Sequence, residues 1–311
     1  MRKGETLAIE SAVCALYLRG SPIGGRAPRR AWPRVVARLC SAEPTLDQLG
    51  TCLLIAGLYD EASLLGDPGA IEWGLQQVES DRTVTVVSPT YPSRWLQALG
   101  SAAPPALWRF GTLPLAPAVG VAGGRQLSAR ELRAAAGIGA ALMALGRTLV
   151  SGGASGADRA AAAGAIACGT EPRVIEILPC GVDMCSLLEG ACSLSASAPD
   201  AEFSTGQAME RNALIYAYGT HTVVIRPRYR VGGTWHGATD ALRRDLSVVG
   251  VWGRGADAAS EALTALGAVR VPRVRDLAGF LATSPPQLQP WLFGAGVVRE
   301  RSASPGWLLH A

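Results

Sequence analysis

Hydrophobic periodicity divides the chain into two parts. Residues 5–18 carry apolar positions at helical spacing, and residues 31–40 resemble a second helix. The stretch between them, Ser21 to Pro28, is Gly/Pro-rich and reads as a loop. Leu46 to Leu65 fits one or two further helices, with Gly50 and Gly57 as weak points, and Val84 to Val87 is a short β-branched run. A Pro/aromatic connector follows: Tyr91-Pro92-Ser93-Arg94-Trp95-Leu96, then Pro104-Pro105-Ala106-Leu107-Trp108-Arg109-Phe110-Gly111. Such composition favours an ordered extended segment packed on its neighbour. Residues 1–111 thus read as a mainly helical N-terminal region ending in this connector.

Beyond it, strands and helices alternate. Ala118–Ala122 is an apolar run ending at Gly123-Gly124-Arg125. Ser128 with Glu131 three residues on has capping-box spacing, and a helix extends to about Leu145. Thr148 to Val150 reads as a buried strand, followed by Ser151-Gly152-Gly153-Ala154-Ser155-Gly156 and an Ala-rich helix to about Cys168. Arg173–Leu178 is a third strand, closed by Pro179-Cys180-Gly181. A Ser-rich, poorly patterned stretch then reaches Pro199. Ala201–Phe203 is a short strand candidate, Gln207–Tyr218 a helix, and His221–Ile225 a β-branched strand. Val231 to about Arg244 forms another helix, Ser247–Trp252 and Val269–Val271 further strands, and Arg273 to about Ala282 a last helix. Strands recurring after single helices imply parallel pairing, and apolar strands imply helices on both faces. The pattern predicts an α/β, doubly wound, mostly parallel Rossmann-like sheet over residues 112–283, with 284–311 left unassigned.

Three Gly-rich turns follow three of these strands: Gly123-Gly124-Arg125, Ser151 to Gly156, and Gly232-Gly233-Thr234. In an open parallel sheet ligands bind outside the carboxyl ends of strands, where such turns lie. A glycine turn that opens a helix presents unpaired N–H groups and the positive end of the macrodipole to an anion. The same glycines also serve a tight turn with no ligand. Arg125 is placed to close on a phosphate as a bidentate donor. Asp158, in the first helical turn, either complements the helix dipole and fixes the loop or accepts a base or sugar hydroxyl.

Composition narrows the choice. With 49% apolar and 17% charged residues the chain has material for a substantial core. Lys3 is the sole lysine, which removes G-x-x-x-x-G-K-[ST] phosphate-loop chemistry. The first turn is not G-x-G-x-x-G, and no acidic residue ends the second strand, against a dinucleotide dehydrogenase. Between Met209 and Arg254 lie seven arginines and three acidic residues, an excess equal to the net +4 of the whole chain. Such a basic segment beside a Gly-rich fold points to a polyanionic partner. The seven cysteines form no C-x-x-C pair and read as small buried hydrophobes with reduced thiols in a cytoplasmic protein. Glu5 and Glu10 interrupt any leader-like apolar run, and no stretch approaches a membrane span. No His, Cys or Asp grouping pairs a nucleophile with a base, and no metal or cofactor site is legible. The equipment is for binding, not chemistry.

These residues resemble the DNA-processing protein A (DprA, or Smf) family of the Gly-rich Rossmann-like superfamily. Its S-G-x-A-x-G-x-D loop is matched by Ser151, Gly152, Ala154, Gly156 and Asp158, and its V-G-x-R turn by Gly123-Gly124-Arg125. Its Arg-Asn motif is similar to Arg211-Asn212 and its C-G-x-D segment to Cys180-Gly181-Val182-Asp183. The Y-P and P-P-x-L-x-x-x-G pieces are similar to Tyr91-Pro92 and Pro104 to Gly111. The departures are Ala162, Ala208, Met209 and Ala213, where the family pattern has His, an aromatic, Pro and Arg, and Trp235 and Tyr229 are the aromatics left to stack on a base. The resemblance implies single-stranded DNA binding without catalysis, loading of a RecA-type recombinase, and homodimerisation. It implies that Arg125, Ser151, Gly152, Gly153, Arg211 and Asn212 line a phosphate pocket, to which Gly123, Gly124, Ser155, Gly156, Asp158, Gly232, Gly233 and Thr234 add the turns themselves. A nucleotide sensor using the same crevice, with Trp235 stacked on a base, is the alternative. A phosphoribohydrolase lacks its P-G-G-x-G-T-x-x-E motif, because Val231-Gly232-Gly233-Thr234 is followed by no suitably placed Glu.

Overall fold

The computed structural model describes residues 3–18, 35–36, 39, 45–169, 173–253, 255 and 257–287 of the chain. Helix α1 (Lys3–Leu18) is followed by α2 (Leu46–Ile55), α3 (Tyr59–Leu64) and α4 (Pro68–Glu79). Of the second sequence-predicted helix only residues 35, 36 and 39 are described, all helical, while Ser21–Pro28, Arg254 and the tail from 288 lie outside the described residues. Helix α4 escaped the periodicity reading although its start is conventional: Asp67 caps Gly69 N–H at 3.0 Å and Pro68 opens the first turn.

The connector is regular structure. It holds α5 (Ser93–Leu99) and β2 (Ala106–Phe110), where the composition alone implied an extended segment, and it follows β1 (Thr83–Thr85), which overlaps the β-branched run Val84 to Val87. Tertiary contacts decide this. Trp95 is fully buried, donates its Nε1–H to Leu214 O at 2.8 Å, and meets Tyr218 edge-on at 5.3 Å. Arg94 donates to Gly219 O and Leu246 O, each at 2.8 Å.

The remaining elements are β3 (Ala118–Gly123), α6 (Ala129–Ala144), β4 (Thr148–Ser151), α7 (Ala157–Ile166), β5 (Val174–Ile177), β6 (Cys192–Ser195), α8 (Thr205–Tyr218), β7 (His221–Ile225), α9 (Gly232–Arg243), β8 (Val248–Trp252), α10 (Ala258–Ala265), β9 (Val269–Val271) and α11 (Leu277–Leu281). Among the described residues one nine-stranded sheet runs β1-β2-β6-β5-β4-β3-β7-β8-β9. From β6 to β9 all pairings are parallel, whereas β1–β2 and β2–β6 are antiparallel. Among the described residues the sheet's outermost strands are the three-residue β1 and β9.

Successive strand residues feed opposite cores, as the pleat requires. Leu149, Val174 and Val223 pack with α6, α7 and α11, while Val150, Ile175 and Val224 pack with α8, α9, α10 and the N-terminal helices. The doubly wound expectation holds. Two details differ. Ala201–Phe203 is not a strand, and β6 lies instead inside the Ser-rich stretch. Cys192-Ser193-Leu194-Ser195 carries little apolar signal, and its pairing on both sides makes the strand; Ser195 Oγ donates to Cys180 O at 2.7 Å. The last helix opens as a 3-10 turn, so only Leu277–Leu281 is α-helical.

The capping box of Ser128 and Glu131 is formed, with Ser128 N–H donating to Glu131 Oε2 at 2.8 Å. Helices α6 and α7 then approach through small residues: a Cβ on Gly139 would overlap the Ala161 carbonyl, and one on Gly164 the Ala136 carbonyl. Gly139→Val and Gly164→Val should each lower stability by ~2–3 kcal/mol, because neither backbone can retreat from its partner helix. Gly206→Ala in α8, where a Cβ meets open space, should be neutral or slightly stabilising. Urea unfolding midpoints check both.

Candidate phosphate-binding site

Strands β4, β3 and β7 are parallel neighbours, so the three Gly-rich turns emerge side by side at their carboxyl ends. The chain steps outward from β3 through β4, β5 and β6, then returns to β7 on the other side of β3. That reversal is the switch point at which open α/β sheets bind ligands.

The turns are mutually locked. Gly156 has φ +89°, and a Cβ there would overlap the Gly124 carbonyl. Ala157 N–H donates to Gly124 O at 3.1 Å, so the first helical amide of α7 is satisfied by the first turn. Thr234 Oγ1 donates to Gly123 O at 2.9 Å and ties the third turn to the first.

Asp158 is buried and points into the second turn, where its Oδ2 accepts Gly152 N–H at 3.0 Å. Burial pushes its pKa up to about 6, against the attraction of Arg211 and the backbone N–H groups of Gly152, Ala154 and Gly123. Arg211 lies over Gly152 so closely that a Cβ there would coincide with its guanidinium. Its Nε is buried with no hydrogen-bond partner, and burial lowers its pKa while Asp158 opposes the shift. Asn212 donates its Nδ2–H to Gly233 O at 3.3 Å.

The sequence-derived set therefore separates into two tiers. Ser151, Gly152 and Asp158 are buried and shape the loop, and Gly123, Gly124, Gly153, Gly156, Arg211, Asn212 and Thr234 are half-buried. Arg125, Ser155, Gly232 and Gly233 are exposed on the rim. Trp235 is buried against Tyr229, ring centres 5.1 Å apart, so it offers no open face to a base. Tyr229 is 44% exposed, with the Arg230 guanidinium 5.0 Å from its ring centre.

Two residues were not singled out from sequence. Glu176, in the middle of β5, is fully buried beside Gly153, and neither oxygen has a hydrogen-bond partner. Its pKa is raised by burial, and Arg159 counters this with Nε 3.7 Å from Oε1. Arg159 also donates to Gly153 O at 3.0 Å and Ser186 O at 2.7 Å, pinning the loop from below. A charge inside the apolar run Val-Ile-Glu-Ile was the available signal. The thiol expectation also needs correction. Cys180 and Cys185 form a disulfide, because the turn over Val182–Met184 brings their Cα atoms to 6.7 Å, a proximity that the C-x4-C spacing does not advertise. Among the described residues no helix is long and apolar enough to cross a membrane, and no three His, Cys, Asp or Glu converge as a metal site.

The sequence model of the family described as DNA recombination-mediator protein A matches residues 82–281. The chain belongs to that family. Its fold is similar to DNA processing protein A from Streptococcus pneumoniae, at 18% identity and TM-score 0.62, covering 88% of this chain and 97% of that one. It is also similar to DNA processing protein A from Helicobacter pylori, described for a unique single-stranded DNA binding mode, at 21% identity and TM-score 0.52 over 58% of this chain and 87% of that one. No curated protein matches the sequence. Within the DNA recombination-mediator protein A match lie all three turns, helices α7 and α8 with Arg159 and Arg211, and the connector strand β2.

The raised Asp158 pKa has a signed consequence. Between its unfolded value near 3.8 and its folded value of about 6 the folded state holds the extra proton, so this group's contribution to stability falls as pH rises through that window. Asp158→Asn should remove a decline on the order of 2–3 kcal/mol between pH 4 and pH 7. Urea unfolding of both proteins across that range measures the difference.

Proposed function

We propose that this chain binds the backbone of single-stranded DNA across the three Gly-rich turns, as a non-enzymatic mediator of recombination. The observation that carries the reading is Arg211. Its guanidinium is held over Gly152 at the sheet's switch point with Nε unpartnered, and Arg125 is exposed on the adjoining turn. A buried donor without an acceptor is costly, and a phosphate oxygen at the crevice would satisfy it. Arg228 and Arg230, exposed on the loop after β7, add positive charge, while Arg226 there pairs with Glu131 at 3.4 Å. Family membership and the binding mode described for the Helicobacter pylori protein support the same ligand. In this reading the protein works in the cytoplasm during DNA uptake and recombination, hands the strand to a RecA-type recombinase, and acts as a homodimer.

Fluorescence anisotropy with labelled oligo-dT at low salt is the direct measurement. Log affinity should fall against log salt with a slope of roughly −0.7 per phosphate contacted. Arg125→Ala and Arg211→Ala should each weaken binding about tenfold or more, consistent with loss of a charge-assisted contact. A wild-type protein indifferent to the oligonucleotide at low salt would end this reading.

A further inference from the structure

We propose that the groove between α2 and the α3–α4 turn docks a cationic amphipathic helix of a partner protein. The groove stands apart from the crevice. Helix α1 packs on β1 and β2 at the margin of the sheet and α2 packs on α1, whereas the three turns emerge from β4, β3 and β7.

The sequence of α2 makes the groove. Leu49, Cys52 and Leu53 are buried in the core. On another side of the helix Leu46, Gly50 and Leu54, spaced four residues apart, form one wall of a cavity of about 590 Å³. Leu65 and Ile71 form the facing wall, and the walls meet at Gly50, where a Cβ would touch Leu65 Cδ1 at 3.4 Å. Leu46 is 41% and Leu54 51% exposed, and Ile55 and Tyr59, at 58% and 67%, carry the apolar surface past the end of α2. A helix that is apolar all round is ordinarily covered all round. Here the outer side is open.

Charge selects the occupant. Residues 45–80 hold six acidic residues and no Lys, Arg or His, in a chain whose net charge is +4. Asp47 lines the groove, Asp67 and Glu72 adjoin Gly66 and Ile71 of its far wall, and all three are exposed. Among the described residues no arginine pairs with any of them. An apolar channel with an acidic border repels nucleic acid and attracts a basic, half-apolar segment. The channel follows α2 from Leu46 to Leu54, about 12 Å at the helical rise per residue. That length takes an apolar stripe at i, i+4 and i+7 spacing on a docked helix, whose basic residues then meet the acidic border. Groove and crevice lie on different elements, so such a partner and a polyanion do not compete for the same surface.

The test uses the full chain and two labelled, end-capped peptides of one amphipathic helical pattern, the first of Leu and Lys and the second of Leu and Glu. Fluorescence anisotropy at low salt follows their binding. Leu54→Arg puts a cation on the apolar wall, and Asp47→Arg reverses the border. Both positions are exposed, and circular dichroism with thermal melts verifies that the variants fold. We expect wild type to bind the Leu-Lys peptide and not the Leu-Glu peptide, and each variant to lose about tenfold in affinity, the size of a lost interface anchor. Affinity for labelled dT20 should not fall in either variant, which keeps this result separate from the crevice reading. A wild type that ignores the Leu-Lys peptide, or binds both peptides alike, overturns the proposal whatever dT20 does. So does undiminished Leu-Lys binding in either folded variant; should Leu54→Arg unfold, Asp47→Arg decides alone. Sedimentation of the wild type covers one other occupant: a dimer that Leu54→Arg separates would mean that a second copy fills the groove, and would overturn the proposal.

Discussion

The Asp158 carboxylate is the charge around which the crevice is built. A carboxylate held in the interior needs compensation, and it comes from the backbone N–H groups of Gly152 and Ala154 in the second turn, that of Gly123 in the first, and the field of the Arg211 guanidinium. Satisfying it fixes the path of Gly152 to Ala154 and draws α8 toward β4. The anion that a Gly-rich turn would otherwise wait for is thus partly supplied from within. Arg125, exposed on the rim, lies outside this internal arrangement.

Beneath the loop a second pair repeats the arrangement with opposite economy of partners. Glu176 is fully buried with no hydrogen bond, and Arg159 reaches it only at 3.7 Å while spending its firmer contacts on Gly153 O and Ser186 O. Two carboxylates and two guanidiniums therefore share one small volume, close to neutral in sum. Each arginine's pull on the loop depends on the acid behind it, so charge changes at any of the four reach the others.

The alternation of strand and helix was legible because parallel strands buried on both faces are nearly continuous apolar runs, and because caps such as Ser128 with Glu131 act locally. The three turns were legible for the same reason: glycines at a strand's end mark where backbone must approach backbone, as Gly156 does against Gly124. Elements fixed by distant partners were not. Strand β6 owes its form to β5 and β2 on either side, β2 to β1 and β6, and α5 to Trp95 reaching Leu214 in α8 and Arg94 reaching Gly219 and Leu246. Residue roles within the crevice divided similarly. Motif spacing marked Asp158 and Arg211, but their burial, the concealment of Trp235, and the Glu176–Arg159 pair arise only when β4, β5 and α8 are brought together.

The sheet margins carry a consequence for assembly. Both outermost strands are three residues long, Thr83–Thr85 and Val269–Val271, and each ends after scarcely more than one repeat of the pleat. A margin this short gives a foreign strand almost no main-chain rungs to climb. Among the described residues, a second copy would thus find few backbone groups at either margin, and edge-to-edge strand pairing is disfavoured.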